Sequence, residues 1–160
     1  MHKDFKKFND EIVPDIVEYI NNYIQDRPKE EIKLYIGTDS QRIRRSKGFV
    51  MYAIVICIYT KGKGAHIIYK KIKRDDIKDM FNRLWWEVEY SIQIATYLRD
   101  SKTFMNKNFM SIHIDINSNK KHKSNQLANS AIGYVTSCGF DYRIKPDAMV
   151  ASYAADMLVR

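Results

Sequence analysis

From Asn9 to Asp26 the apolar residues Ile12, Val13, Ile16, Val17, Ile20, Tyr23 and Ile24 recur at helical spacing. This predicts a helix over 9–26, with Pro14 in its first turn and Arg27-Pro28 as its stop. The period then changes. Ile32 to Asp39, Phe49 to Tyr59 and Ala65 to Lys73 are rich in Val, Ile and Tyr, and Lys61-Gly62-Lys63-Gly64 between the last two is a hairpin signal. The three runs predict an antiparallel meander. After Asp75, read as an N-cap, Ile77, Met80, Phe81, Leu84, Val88, Ser91, Ile92, Ala95 and Leu98 trace one face of a helix that ends near Arg99. A strand over Phe109 to Ile116, a helix over Ser124 to Ser137 stopped by Cys138-Gly139, and a short strand over Phe140 to Lys145 follow. Pro146 opens a last helix that runs to Arg160.

This order predicts an α/β fold with a mixed five-stranded sheet, the meander plus two strands parallel to the first, because each later strand is reached by a right-handed helical crossover. With 160 residues and 45% hydrophobic content, the chain is expected to form a single domain over 1–160. The helix at 9–26 is extra to that plan, and is expected either to pack on the sheet or to make a homo-oligomer contact.

Composition narrows the function classes. Twenty-seven Lys and Arg against 19 acids leave a formal charge of +8, which favours a polyanionic partner such as nucleic acid. Cys57 and Cys138 lack the spacing of a zinc site and fit a reducing compartment. The charged start, Met1 to Lys7, and the lack of any run of about 18 apolar residues predict a cytoplasmic protein with no membrane span.

The chemistry lies in the acids. Asp39 ends the first predicted strand and Asp115 closes the similar run Ile112-His113-Ile114, so parallel strands would place both carboxylates at one sheet edge, where ligands and metals bind. A third acid is expected from the long helix. At 100° per residue Glu87 falls about 60° from the centre of the apolar face and Glu89 about 140° away, which favours Glu87. At the C-terminus Asp147 follows the last strand directly, whereas Asp156 is nine residues on, roughly 13 Å further along the helix. Asp147 is therefore the expected fourth acid. Carboxylates so crowded would raise one another's pKa unless cations neutralised them, and Mg²⁺ or Mn²⁺ would suit such oxygen donors.

This order of elements and acids resembles the ribonuclease H-like superfamily over roughly residues 32–160. More closely, Tyr35-Ile36-Gly37-Thr38-Asp39-Ser40-Gln41, His113-Ile114-Asp115, Gly139-Phe140 and Lys145-Pro146-Asp147-Ala148 resemble the bacterial YkuK-like proteins of that superfamily. The resemblance implies that Asp39 and Asp115 bind or bridge metal, that Glu87 holds the ion nearer the leaving group, and that Asp147 completes the site. It also implies a divalent-metal-dependent nuclease acting on DNA, RNA or hybrid by a two-metal mechanism. The few residues between the fifth strand and Asp147 look more like the resolvase-type branch than like hybrid-specific enzymes.

Two basic segments border the acids: Arg42, Arg44 and Arg45 after Asp39, and Lys120, Lys121 and Lys123 after Asp115. With Lys145 they are the expected phosphate-backbone contacts. The alternative function is a catalytically inactive nucleic-acid-binding or assembly module, which needs the basic loops but not four converging acids.

Overall fold

A central strand that is apolar on both faces has to be covered on both faces, and Phe49–Thr60 is such a strand: from Tyr52 to Ile58 every residue is buried. The computed structural model describes residues 2–43, 49–75, 79–101, 109–117 and 125–159. Its strands are β1 (Phe5–Lys7), β2 (Ile12–Val13), β3 (Ile32–Ile43), β4 (Phe49–Thr60), β5 (Gly64–Asp75), β6 (Met110–Asn117) and β7 (Asp141–Lys145). Among the described residues they form one sheet in the order β2-β1-β5-β4-β3-β6-β7. The meander β3-β4-β5 is antiparallel, while β6 and β7 run parallel to β3.

Two helices, α1 (Ile16–Gln25) and α2 (Met80–Asp100), join α3 (Asn125–Ser137) against the larger core, built on Leu34, Ile36, Ile54, Ile56, Ile58, Ile112 and Ile114. The opposite face carries a smaller cluster in which Ala53, Val55 and Cys57 meet Val150, Ala155 and Val159. Those last residues belong to α4, which winds with π spacing over Val150–Ala155 and with α spacing over Asp156–Val159.

The mixed α/β architecture agrees with the sequence reading, but the strand count does not: seven strands stand where five were expected. Residues 5–7 and 12–13 form a small ribbon, and Lys6 and Lys7 pair with Tyr69 and Ile68 on the open edge of β5. Phe5 and Val13 are buried there, which ties the ribbon down. The helix expected over 9–26 accordingly spans only Ile16–Gln25, with Asp15 as its N-cap, accepting from the backbone N–H of Val17 at 2.8 Å and of Glu18 at 3.1 Å. It packs Ile16 and Ile20 onto the sheet, and the Tyr19 hydroxyl lies 2.7 Å from His66 Nε2. The start of α2 also moves. Strand β5 continues through Asp75, which pairs with Phe49, so the N-cap is Asp79, accepting from the N–H of Phe81 at 3.2 Å and of Asn82 at 3.0 Å. No described helix is long and apolar enough to cross a membrane.

Candidate active site

The parallel register of β3 and β6 ends with Gly37 beside His113. Asp39 and Asp115 each lie two residues further on, and so stand at neighbouring C-terminal positions on the same face. That face is the one α4 covers. Gly37 allows the approach, because a Cβ there would lie 2.8 Å from the backbone nitrogen of Ala151. Helix α4 then advances along the strands: the N–H of Val150 donates to His113 Nδ1 at 3.3 Å, and two residues later Ser152 Oγ donates to Asp115 Oδ1 at 2.5 Å.

Glu87 arrives from the other face. Leu34, Ile36, Thr38 and Ser40 alternate toward α2, where Thr38 Oγ1 lies 2.9 Å from Ser91 Oγ and Ser40 Oγ donates to Glu87 Oε1 at 2.6 Å. Only 5% of Glu87 is exposed. Glu89 points elsewhere, accepting from Gln93 Nε2 at 2.7 Å and from the Tyr134 hydroxyl at 2.9 Å.

Electrostatics tie these acids together. Burial, and then the charges of Asp115 and Asp156, push the Asp39 carboxyl up to about 6, against the N–H of Ser40 at 2.8 Å and the Arg83 guanidinium, which pull it down. Glu87 is held well above the ordinary glutamate range by burial first and the charge of Asp39 next; Ser40 and Arg83 work against this and Asp115 adds to it. Asp115 has a cation of its own, since Lys145 Nζ lies 2.8 Å from Oδ1 and 3.0 Å from Oδ2.

Asp39, Glu87 and Asp115 are therefore near enough for their charges to act on one another, but Asp39 does not end its strand as expected: β3 stays paired with β4 through Ile43. Asp147 is not among these acids. It lines a hollow lower on the sheet, beside Tyr35, Ser111, His113 and Arg143, and the C-terminal acid whose charge Asp39 feels is Asp156. The expectation assumed that the last helix starts at the acid edge. Instead a turn after β7, closed by the Asp147 N–H donating to the Ile144 carbonyl at 2.8 Å, starts the helix lower on the sheet, from where it climbs. The helix passes Gly37 at Ala151 and its next residues run on along the strands, so that the charge of Asp156 reaches Asp39. Sequence reasoning also passed over Ser40 and Ser152. The small residues Ala148, Ala151 and Ala155, spaced three and four apart, were the available signal for the face pressed on the sheet, and Asp156 adjoins it.

Lys145, expected at a phosphate, is engaged by Asp115. Arg42 is exposed near the far end of β3, and Arg44, Arg45, Lys120, Lys121 and Lys123 lie outside the described residues. The donor chemistry suits a hard divalent cation, because the acids supply oxygen ligands. Among the described residues, however, no three carboxylate, His or Cys side chains stand in an arrangement that could hold a metal ion. A magnesium site built on one or two carboxylates plus water is the form compatible with this geometry.

Over residues 15–160 the chain matches the family described as Ribonuclease H-like. The chain belongs to the ribonuclease H-like family. It is also 27% identical over 154 residues to the uncharacterized protein YkuK of Bacillus subtilis (strain 168), an alignment covering 88% of this chain and 87% of that protein. No solved structure matches. In this family setting the sheet edge bearing Asp39, Asp115 and Glu87 is the candidate active site.

Proposed function

We propose that the chain is a divalent-metal-dependent nuclease that hydrolyses phosphodiester bonds of DNA or RNA at the Asp39 edge. The observation that carries this reading is that Asp39, a half-buried carboxyl pushed up to about 6 by burial first, also feels the charges of Asp115 and Asp156, while buried Glu87 feels those of Asp39 and Asp115. Carboxyls perturbed in this way are characteristic of functional sites. Mg²⁺ or Mn²⁺ bound there would activate a water and stabilise the leaving oxygen.

The chain's own groups prepare the cluster. Ser40 acts twice, its N–H holding Asp39 Oδ1 and its hydroxyl holding Glu87 Oε1. Ser152 and Lys145 fix the Asp115 carboxylate. A divalent cation held by Asp39 and Asp115 would compete with Lys145 for the Asp115 carboxylate, leaving the lysine for a substrate phosphate, the role expected for it with Arg42, Arg44, Arg45, Lys120, Lys121 and Lys123. Asp156 is the fourth acid in this reading, and Asp147 is the alternative against which it is tested.

A second reading is favoured by the Lys145–Asp115 ion pair at 2.8 Å: a nucleic-acid-binding module in which the lysine has replaced a metal. Labelled DNA, RNA, hybrid and branched substrates incubated with Mn²⁺ or EDTA separate the two. Cleavage that requires Mn²⁺ and is lost in Asp39→Asn and Asp115→Asn supports the nuclease. Binding without cleavage on every substrate supports the module.

A further inference from the structure

Below the start of α4 the same sheet face is left uncovered, and a hollow of about 420 Å³ opens there between β3, β6 and β7. It is lined by Lys33 and Tyr35 from β3, Ser111 and His113 from β6, and Asp141 and Arg143 from β7, with Asp147 at the turn above. His113 and Arg143 are direct neighbours across the parallel pair. His113 is 3% exposed, and its Nε2 is buried without a hydrogen-bond partner. Because its Nδ1 accepts from the N–H of Val150, the neutral ring carries its hydrogen on Nε2.

A buried donor left unmatched costs about 1–3 kcal/mol, and because His113 lines the hollow, stacked on Tyr35, a small shift of either ring would let an acceptor bound there reach Nε2. One water, with a share of roughly 30 Å³, would leave most of the space empty, whereas small-molecule sites begin at about 300 Å³. Arg143 adjoins the donor, and Lys33, four residues before Gly37 on β3, stands at the other end of the hollow. Arg143 donates one N–H to the Tyr142 carbonyl at 2.9 Å, which leaves other guanidinium donors, and Lys33 is held only loosely, 3.6 Å from Glu31. A guanidinium beside a buried N–H, with an ammonium across the same hollow, suits an oxyanion. The carboxylates of Asp141 and Asp147 oppose a bare dianion and reward a ligand that also presents hydroxyl or amino donors.

We propose that this hollow binds a phosphate monoester of a nucleoside, either a free nucleotide or the terminal phosphate of a nucleic-acid strand, with His113 Nε2, Arg143 and Lys33 on the phosphate and Asp141 and Asp147 on the sugar or base. This site is separate from the acid edge and requires no divalent ion. The test is therefore run on the full chain in EDTA, by calorimetric titration with inorganic phosphate, a nucleoside monophosphate, and a short oligonucleotide with and without a terminal phosphate. The monoesters should bind more tightly than inorganic phosphate. Arg143→Gln and Lys33→Gln, both at exposed positions, should each weaken binding roughly tenfold or more, while Asp147→Asn tightens binding of inorganic phosphate. Preference for the phosphorylated oligonucleotide would identify a strand end as the source, and preference for the mononucleotide a free ligand. No saturable binding of any phosphate monoester, or affinities untouched by Arg143→Gln and Lys33→Gln, would overturn the proposal. The outcome is independent of whether the acid edge cleaves.

Discussion

Asp39→Asn should make the protein more stable, and only above about pH 4. Asparagine keeps the oxygen that accepts the Ser40 N–H at 2.8 Å and removes a charge that burial disfavours first and that Asp115 and Asp156 repel. The folded carboxyl is raised from 3.8 to about 6, so the folded state holds this proton more tightly than the unfolded one. The stabilisation from the bound proton is complete below the unfolded value and is lost as pH rises through the folded value. Roughly two pKa units correspond to about 3 kcal/mol at pH 7 to 8, or a rise in Tm of roughly 6–12 °C for a chain of this size. Urea unfolding of both proteins in EDTA between pH 4 and 8 measures it. The curves should meet near pH 4 and separate through pH 6, and Mn²⁺ should narrow the gap by stabilising the unmutated protein. A difference that does not change with pH, or a variant less stable at pH 8, would refute the view that burial and acidic neighbours hold the Asp39 carboxyl above its ordinary range.

Three other substitutions probe the frame of the site. Gly37→Ala places a methyl 2.8 Å from the Ala151 nitrogen, so α4 must shift; about 1–3 kcal/mol of stability should be lost in denaturant titration, and any cleavage should fall with it. Asp156→Asn should abolish Mn²⁺-dependent cleavage while Asp147→Asn retains most of it, and the reverse order in a gel assay would restore Asp147 to the site. Asp79→Ala should lower stability by about 1 kcal/mol through loss of the α2 cap, whereas Asp75→Ala should change it far less, as read by thermal melts.

The strands were legible wherever burial imposes a pattern. Both faces of β4 are covered, so it is a continuous apolar run, while β3 alternates between two packed layers and shows which of its residues faces which helix. The N-terminal ribbon was not legible, because three residues followed by two are too short to display a period, and Ile12 and Val13 fit a helical stripe as well as a strand. What decides the matter is tertiary: β5 has an open edge, and Lys6 and Lys7 pair with it. The start of α2 failed for a related reason. Asp75 and Asp79 are equally good caps locally, and the choice falls to Asp79 because β4 extends far enough to keep Asp75 in the ladder.

The site divides along the same line. That Asp39, Asp115 and Glu87 lie in one neighbourhood could be read because it follows from parallel strands and a helical angle, which are local quantities. Which C-terminal acid comes near Asp39 depends on where the last helix starts and which way it runs, and neither has a periodic signature. Helix α4 begins beside His113 and climbs toward Asp39, so it lowers Asp147 into the hollow and raises Asp156 to the edge. Its π-wound stretch, Val150–Ala155, spans the contact with Gly37 and delivers Asp156 directly after it. One short segment thus hydrogen-bonds His113 through the Val150 N–H and Asp115 through Ser152, so the two ends of this face are built on a single support. A displacement of α4 therefore disturbs the acid edge and the phosphate-sized hollow together, whereas changes at Arg143 or at Asp39 reach only one of them.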